Sequence, residues 1–594
     1  MKNTNAIHSL GNGHFLLYGQ GPDITAMHAG DYSSPSAGSL VLDGCTGYDI
    51  PSRKLGTWNS TAHTEGGAVC FEDTLDPYSN TFVRRIRSDC DARLSLYTHP
   101  DGKAYSRGNG TVVILPRGTM YFTSIVTARE YRLYISCGGC ASIDGTQISV
   151  AKGEGYIRIF ALRLDTDNAY HTDSGENSDI ESVKRNSDGY WRSFFDRIKY
   201  YPGIENVEES VAYTIKTQQS RDGGIAAGHF YPMAYVRDQA GTARGLLALG
   251  LVDEAKAVVG FWNEKFKRYG DIHNAETMGN SDGRLVFSND EVEVPAYVML
   301  TAFFCAEADG NIRWLEALKP MLEYAAHVQC RHIAHGMTGF SGDETYIAGG
   351  MFPRCFLYHG SAESTMLFIT SVERYIRYFG ADEELSAALN EAKDKFRENF
   401  VIGGKLYANQ PSREQYAVLP RFHFGYCDYC ELAKNPAQLT WLERRDDGLY
   451  AAPDYFDAPE IPIPESIPRL LGSVSLSVFW HGFDILTEKE KEETIKPFLT
   501  MLETRGSVYS SPDGETATGY DYAYLLEALV KTDSPRCADM LEKTLDVLDE
   551  SGSWSEYYRN GVPYNCRNRP WESGINISAV IDAVKHLNNK GYAE

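Results

Sequence analysis

Residues 231–268 read YPMAYVRDQAGTARGLLALGLVDEAKAVVGFWNEKFKR. A turn-prone approach leads into one helical segment, near 238–250, and a short turn at 250–253 leads into a second, near 253–268. The unit is a helical hairpin, and it recurs along the chain. Upstream, residues 205–220 (ENVEESVAYTIKTQQS) place Val207, Val211 and Ile215 on one stripe. Downstream, helical segments are expected near 295–308, 311–334, 361–380, 382–399, 471–486, 488–504, 517–532, 535–549 and 573–589, many of them too apolar for a lone surface helix. About a dozen helices in consecutive hairpins fit a six-hairpin (α/α)6 barrel, each hairpin supplying one inner and one outer helix. Long irregular insertions at 335–359 and 406–470 would then sit at one mouth, where loops of that length usually serve function. No tight repeat is visible, which disfavours a solenoid.

The first ~165 residues follow a different pattern. Short β-rich runs at 82–88, 93–99, 120–128, 131–136 and 156–164 alternate with Gly, Asn and Asp punctuation. Many short strands with frequent turns suggest an antiparallel β-sandwich. Residues 165–189 are polar and turn-rich and read as a linker, with a first helix expected around 190–199. The expected organisation is therefore a multidomain α and β chain: a β-sandwich over 1–165, a linker with a helix over 166–200, and an (α/α)6-barrel domain over 201–594.

Composition narrows the function classes. The chain has 594 residues, 43% of them apolar and 23% charged, ordinary values for a protein with a sizeable core. A formal charge of −23 with no basic run repels phosphate backbones and anionic membranes, so nucleic-acid and membrane-surface partners are set aside. No apolar stretch approaches the ~20 residues of a spanning helix, and the N-terminus lacks the apolar run of a secretory signal. The expected location is cytoplasmic. Twelve cysteines do not make a disulfide scaffold. The pairs Cys137/Cys140 and Cys427/Cys430 could form a four-thiolate zinc site, but they lie far apart in dissimilar segments, and reduced thiols are the simpler reading. Aromatics reach 12%, and packing on the C–H face of a sugar is one common use for such a surplus.

Three junctions between loop and helix carry candidate chemistry. In the first, Arg237 and Asp238 sit where loop becomes helix; Asp238 either caps the helix or takes sugar hydroxyls beside the Arg fork. In the second, 288–297 (SNDEVEVPAY), Pro295 is suited to open a helix, which leaves Glu291 and Glu293 in an extended loop pointing the same way. Two close carboxylates raise one pKa, as a general acid requires, although acidic residues before helices are favourable in any case. In the third, 552–577 (GSWSEYYRNGVPYNCRNRPWESGINI), Glu556 lies among Trp554, Tyr557 and Tyr558, with Trp571 and Glu572 just before the last helix. Such a carboxylate suits a base that activates water, or it lies on a solvated loop whose aromatics simply pack. An α/α barrel can bring three such loops to one mouth, and glycoside hydrolysis needs two carboxyl groups flanking the scissile bond.

At these junctions the sequence resembles the glucoamylase family and related six-hairpin (α/α) barrel glycoside hydrolases. TIKTQQSRDGGIAAG followed by YPMAYVRDQAGTARGLLALG is similar to that family's first barrel helix and its Trp/Tyr-x-Arg-Asp substrate motif. The resemblance implies substrate-binding roles for Tyr235, Arg237 and Asp238. GSWSEYYRNG and RPWESGINISAV resemble the family's Ser-Glu-Gln base motif and the Trp-Ser after it, which implies a general base at Glu556 and a pocket-wall aromatic at Trp571. The acid motif departs from the family's adjacent glutamates after a Trp. Glu291 is the expected acid with Glu293 as a substrate ligand, and the reverse assignment stays open. Glu363, in HGSAESTMLF, has no residue-level match and receives no role.

The resulting expectation is an inverting, exo-acting α-glycosidase acting on an α-glucoside or a short oligosaccharide, without metal or organic cofactor. The alternatives are a disaccharide phosphorylase of the related clan, a glycosidase or lyase of another specificity such as an α-rhamnosidase, and a non-catalytic carbohydrate-binding barrel. The sugar, the linkage and the oligomeric state are not legible.

Overall fold

A computed structural model describes residues 6–29, 31–108, 110–115, 131–163, 179–279, 283–285, 291–340, 357–380, 382–410, 416–418, 443–444, 450–451, 460–462, 470–511 and 514–590. The strand expected at 120–128, most of the insertions at 335–359 and 406–470, and Cys427 and Cys430 lie outside the described residues.

Among the described residues the N-terminal part is one fourteen-stranded antiparallel sheet. Its strands are β1 (Ile7–Gly11), β2 (Leu16–Gln20), β3 (Asp23–His28), β4 (Gly38–Leu42), β5 (Cys45–Tyr48), β6 (Ser52–Lys54), β7 (Thr57–Thr64), β8 (Gly67–Leu75), β9 (Thr81–Ser88), β10 (Ala92–Thr98), β11 (Lys103–Arg107), β12 (Gly110–Leu115), β13 (Tyr131–Asp144) and β14 (Gln147–Arg163). The order runs β1-β2-β3-β4-β10-β14-β9-β8-β7-β5, with β6 on β7 and with β11 and β12 reaching β14 through β13. Alternation is clearest at Leu133 and Ile135 on β13 and at Ile157 and Ile159 on β14, all of which are buried. Cys137 and Cys140 lie on β13 as free thiols, and among the described residues no group of three or more His, Cys, Asp or Glu side chains could hold a metal.

The turn-rich stretch expected to run unstructured to residue 189 is already helical from 180. Helix α1 (Ile180–Phe195) opens at Asp179, whose side chain accepts from the Glu181 amide. It buries Val183, Ser187, Trp191, Phe194 and Phe195 and lies on β7, β8 and β9. Its polar residues occupy the opposite face of an amphipathic helix, so polarity alone misreads it as linker. Gly56 marks the close approach: a Cβ there would stand 1.9 Å from the Trp191 ring.

The rest is helical in nearly the expected places. The helices are α2 (Glu205–Gln218), α3 (Val236–Ala248), α4 (Val252–Tyr269), α5 (Glu293–Asp309), α6 (Lys319–Cys330), α7 (Ala362–Phe379), α8 (Glu383–Phe400), α9 (Gly472–Ser475), α10 (Ser477–His481), α11 (Glu488–Arg505), α12 (Gly519–Lys531), α13 (Cys537–Asp546) and α14 (Pro570–Asn589). The segment expected as one helix over 471–486 is the short pair α9 and α10, ended at Gly482 in a left-handed conformation. Residues 312–318 form a 3₁₀ turn before α6.

Two kinds of helix alternate. α8 buries the apolar stripe Leu385, Leu389, Ala392, Phe396 and Phe400, together with Asn399, and leaves its other residues partly or fully exposed. Each large side chain on such a stripe contributes about 1.5–3 kcal/mol. α5 is buried without a break from Glu293 to Phe303, α12 from Gly519 to Leu529 and α14 from Pro570 to Ile581. A helix buried on all sides needs partners all round. α14 packs on α3, α3 on α5, α5 on α7, α7 on α10, α10 on α12, and α12 again on α14. Two contacts bring α3 and α14 unusually close: a Cβ on Gly241 would stand 2.2 Å from the Trp571 ring, and one on Gly245 would stand 2.5 Å from the Gly574 Cα.

The sheet is stitched to the helices near the start of α14. Asn568 Nδ2 donates to the Ile7 carbonyl (3.0 Å), Tyr18 donates to Gln218 Oε1 (2.8 Å), and Gln218 Nε2 donates to Asn568 Oδ1 (2.8 Å). Ser33, between β3 and β4, donates to the Pro232 carbonyl at 2.6 Å and accepts from the Met278 amide at 2.8 Å. The sheet thus braces the loop that carries Tyr231 and Tyr235.

Candidate active site

Tyr235 ends a two-residue strand, Ala234–Tyr235, paired with Ala275–Glu276, and its own backbone is the N-cap of α3. The α3 helix therefore starts with Arg237 and Asp238 in its first turn, both buried. Arg237 lies with its guanidinium carbon 5.0 Å from the Trp571 ring centroid, and its Nη1 is 3.9 Å from Glu293 Oε1. Asp238 directs Oδ1 to Arg569 Nη2 at 3.0 Å. Its carboxylate engages a guanidinium from the far end of the chain.

Arg569 is the residue that the sequence reading missed. It is 2% exposed and is itself the N-cap of α14. Its Nε donates to Glu572 Oε2 at 2.9 Å, its Nη2 stands 3.9 Å from Glu556 Oε1, and its Nη1 donates to the Ala227 carbonyl. Burial works against its charge, but Glu572, Glu556 and Asp238 outweigh that cost and hold the guanidinium protonated.

Glu556 is 2% exposed and precedes the short strand Tyr557–Arg559. Its amide donates to the Cys566 carbonyl (2.9 Å), its carbonyl accepts from the Gly519 amide (2.7 Å), and Asn565 Nδ2 donates to its Oε2 at 3.1 Å. Backbone and side chain are thus both held. Trp571 is 2% exposed and stacks on Tyr520 with centroids 4.5 Å apart. It supports Arg237 from beneath and presents almost no surface of its own.

The carboxylate pair at 291 and 293 separates. Residues 291–292 are already turning and α5 begins at Glu293, so Pro295 is the third helical residue and not the first. An amide missing anywhere in the first turn costs no helix hydrogen bond, so the proline allowed this earlier start. Successive side chains then rotate as on a helix, and the two glutamates do not share one direction as an extended loop would require. The Glu291 side chain is 51% exposed and accepts from His332 at 2.7 Å. That hydrogen bond holds its carboxyl below the usual range. Glu293 is 1% exposed and faces Arg237.

A further buried carboxylate stands one helix away. Glu363, in the first turn of α7, accepts from the Tyr297 hydroxyl at 3.0 Å, and Tyr297 lies one turn beyond Glu293 on α5. Its signal in the sequence was an acid two residues after Ser361, whose side chain accepts from the Ser364 amide and caps a strongly apolar helix. Arg237, Tyr297 and Trp571 also line a small cavity with Arg244, Trp480 and His481. Burial pushes the His481 imidazole down to about 3, so it is neutral there.

Arg237, Asp238, Glu293, Glu363 and Trp571 lie in the first turns of α3, α5, α7 and α14, and Arg569 ties Asp238 to Glu556, which precedes a short strand. A crystal structure of a bacterial glucoamylase complexed with acarbose superposes over 100% of this chain and 96% of its own, with a TM-score of 0.64 and 10% identity.

The chain has a glucoamylase-like fold.

Two other solved structures match over part of this glucoamylase-like chain. A wild-type glycosidase covers 66% of it and 99% of its own length (TM-score 0.41, 13% identity). An uncharacterised conserved protein from Thermus thermophilus covers 63% and 99% (TM-score 0.42, 8% identity). No protein-family model and no curated protein matches the sequence. No described helix is long and apolar enough to cross a membrane.

Proposed function

We propose that the chain is an inverting, exo-acting α-glycosidase that hydrolyses α-glucosidic bonds of short oligosaccharides or glycosides. In this reading residues 1–165 form the β-sandwich, 166–200 connect it, and 201–594 form an (α/α)6 barrel whose inner helices are α3, α5, α7, α10, α12 and α14. The observation that carries the proposal is the convergence of Asp238 and Glu556 on a single buried guanidinium, with oxygen–nitrogen distances of 3.0 and 3.9 Å. That convergence supports a pocket in which one carboxylate grips a sugar while the other activates the water that attacks it.

Arg237 and Asp238 hold the terminal sugar, Asp238 by accepting from two hydroxyls and Arg237 by donating a fork of hydrogen bonds. Trp571 keeps Arg237 in place, and Tyr235, the residue before α3, belongs to the proposed substrate-binding set. Glu556 removes a proton from water as that water attacks the anomeric carbon from the face opposite the leaving group. Proton donation to the leaving oxygen moves, in this reading, from Glu291 to Glu363. Glu291 is half exposed and its hydrogen bond from His332 holds its carboxyl below the usual range, whereas a donor must start protonated, and Glu293 is turned towards Arg237. Glu363 lies on α7, three steps round the sequence of packed helices from α14, whose N-cap Arg569 stands beside Glu556; this supports a donor on the side of the pocket opposite the base. Glu293 then positions Arg237. The carboxyl groups and water supply every proton transfer.

The test is hydrolysis of a panel of α-linked disaccharides and oligosaccharides, with the anomer of the fresh product read by NMR. A β-anomer from an α-linked substrate is expected. Retention would require a nucleophile and would overturn the mechanism; strict dependence on phosphate would convert the enzyme into a phosphorylase.

A further inference from the structure

Arg569 holds more of the site together than any residue with an expected role. Its backbone is restricted by Pro570, since a residue before proline is pushed to extended dihedrals, and it adopts φ −88° and ψ 119°. Its neighbour Asn568 is fixed in the left-handed region (φ 55°) by hydrogen bonds to Ile7 and Gln218. Gly228 allows the side chain through: a Cβ there would stand 2.9 Å from Arg569 Cδ. The guanidinium then meets Glu572, Asp238, Glu556 and the Ala227 carbonyl, and covers the Tyr231 ring at 5.3 Å. A lysine would bring one charged point to this place; the planar fork serves several acceptors at once.

Three buried carboxylates around one cation set up an electrostatic conflict. Like charges this close drive at least one carboxyl to take a proton, and a protonated Glu556 cannot act as a base. The cation that stands beside all three is Arg569.

We propose that Arg569 is the positioning residue of the hydrolytic base: it ties the sugar-gripping carboxylate of Asp238 to Glu556 and keeps Glu556 ionised at neutral pH, with Glu572 as its anchor. This inference rests on the role of Glu556 proposed above. Arg569 touches no reacting atom; it acts through the two carboxylates it spans.

The experiment compares Arg569→Met, Arg569→Lys and wild type by the pH profile of kcat/KM on 4-nitrophenyl α-glucoside. It follows the protonated-carboxyl band by infrared spectroscopy across the same pH range, which needs no turnover. Losing a guanidinium neighbour raises a carboxyl pKa by about 1–3 units, so the acidic limb of Arg569→Met moves up by that amount, with a matching shift of one infrared titration. Arg569→Lys keeps the charge and loses the fork: the limb stays within about half a unit of wild type while KM rises as Asp238 is released. If Arg569→Met does not fold, the double change Arg569→Met/Glu572→Gln removes the ion pair together and is read in the same way. An acidic limb and infrared titration unchanged in a folded Arg569→Met protein would overturn the proposal. A Glu556→Gln protein with wild-type turnover would instead overturn the assignment of the base, so the two failures are distinguishable.

Discussion

Replacing Glu556 by Gln separates chemistry from stability in this protein. The substitution preserves shape, and the amide oxygen can still accept from Asn565, which donates to Glu556 Oε2 at 3.1 Å. The backbone anchors to Cys566 and Gly519 do not involve the side chain. What disappears is one negative charge 3.9 Å from the Arg569 guanidinium, an attraction of about 4 kcal/mol at an effective dielectric constant near 20. The same change removes repulsion from Asp238 and Glu572, which share that guanidinium at 3.0 and 2.9 Å, and this offsets much of the loss. The melting temperature should therefore move by only a few degrees. Turnover should fall by about 10²–10⁴-fold, the usual contribution of a general base, which corresponds to about 3–5 kcal/mol of transition-state stabilisation. The assay is initial rate on maltose or a maltooligosaccharide by glucose release, alongside thermal unfolding of the same preparation. A folded variant within tenfold of wild-type turnover would refute the assignment. Joint collapse of stability and activity would make Glu556 a structural residue.

Glu363→Gln should slow maltose hydrolysis by about 10²-fold or more yet hydrolyse 2,4-dinitrophenyl α-glucoside at close to the wild-type rate, because that leaving group needs no proton; equal loss on both substrates would remove Glu363 as donor, and Glu291→Gln should leave both rates within a few-fold. Gly245→Ala places a methyl group 2.5 Å from the Gly574 Cα, backbone that cannot swing aside, so it should destabilise by about 1–3 kcal/mol or more, visible as a lower denaturant midpoint. The His481 imidazole, pushed down to about 3 from 6.5 by burial, stays neutral while the unfolded chain takes up a proton. Its contribution to stability is thus present above pH 6.5 and is lost as pH falls towards 3. His481→Asn should flatten the fall in stability between pH 6.5 and 4 by up to about 3 kcal/mol, measured by urea unfolding at each pH.

Most helices were legible because their cause is local. The stripe of α8 and the turn between α3 and α4 are written in consecutive residues, and the expected ranges of 382–399 and 238–250 agree closely with Glu383–Phe400 and Val236–Ala248. Where the reading erred, the deciding force came from elsewhere. The polar stretch before residue 190 becomes helix because Val183 and Trp191 find a sheet to cover, and that sheet is remote in sequence from the helix turns it stabilises. Residues 291–293 were read with a strand's alternation and adopt a helix's rotation; one early turn sends Glu291 to the surface and Glu293 inward. Arg237, Asp238 and Glu556 could be marked from their junction motifs. Arg569 opened the quoted run RPWESGINISAV, but only Trp571 in it matched the family pattern, and Glu363 looked like an ordinary acid at a helix start.

By itself the amino-acid order determined an N-terminal strand-rich part, a long helical remainder and three acidic junctions, since propensity, periodicity and capping act over a few residues. Only the tertiary structure decided which junctions meet. A guanidinium at 569 reaches carboxylates at 238, 556 and 572 because α3 and α14 pack glycine against glycine and because the sheet pins Asn568, and contacts of that kind are properties of distant surfaces fitting together.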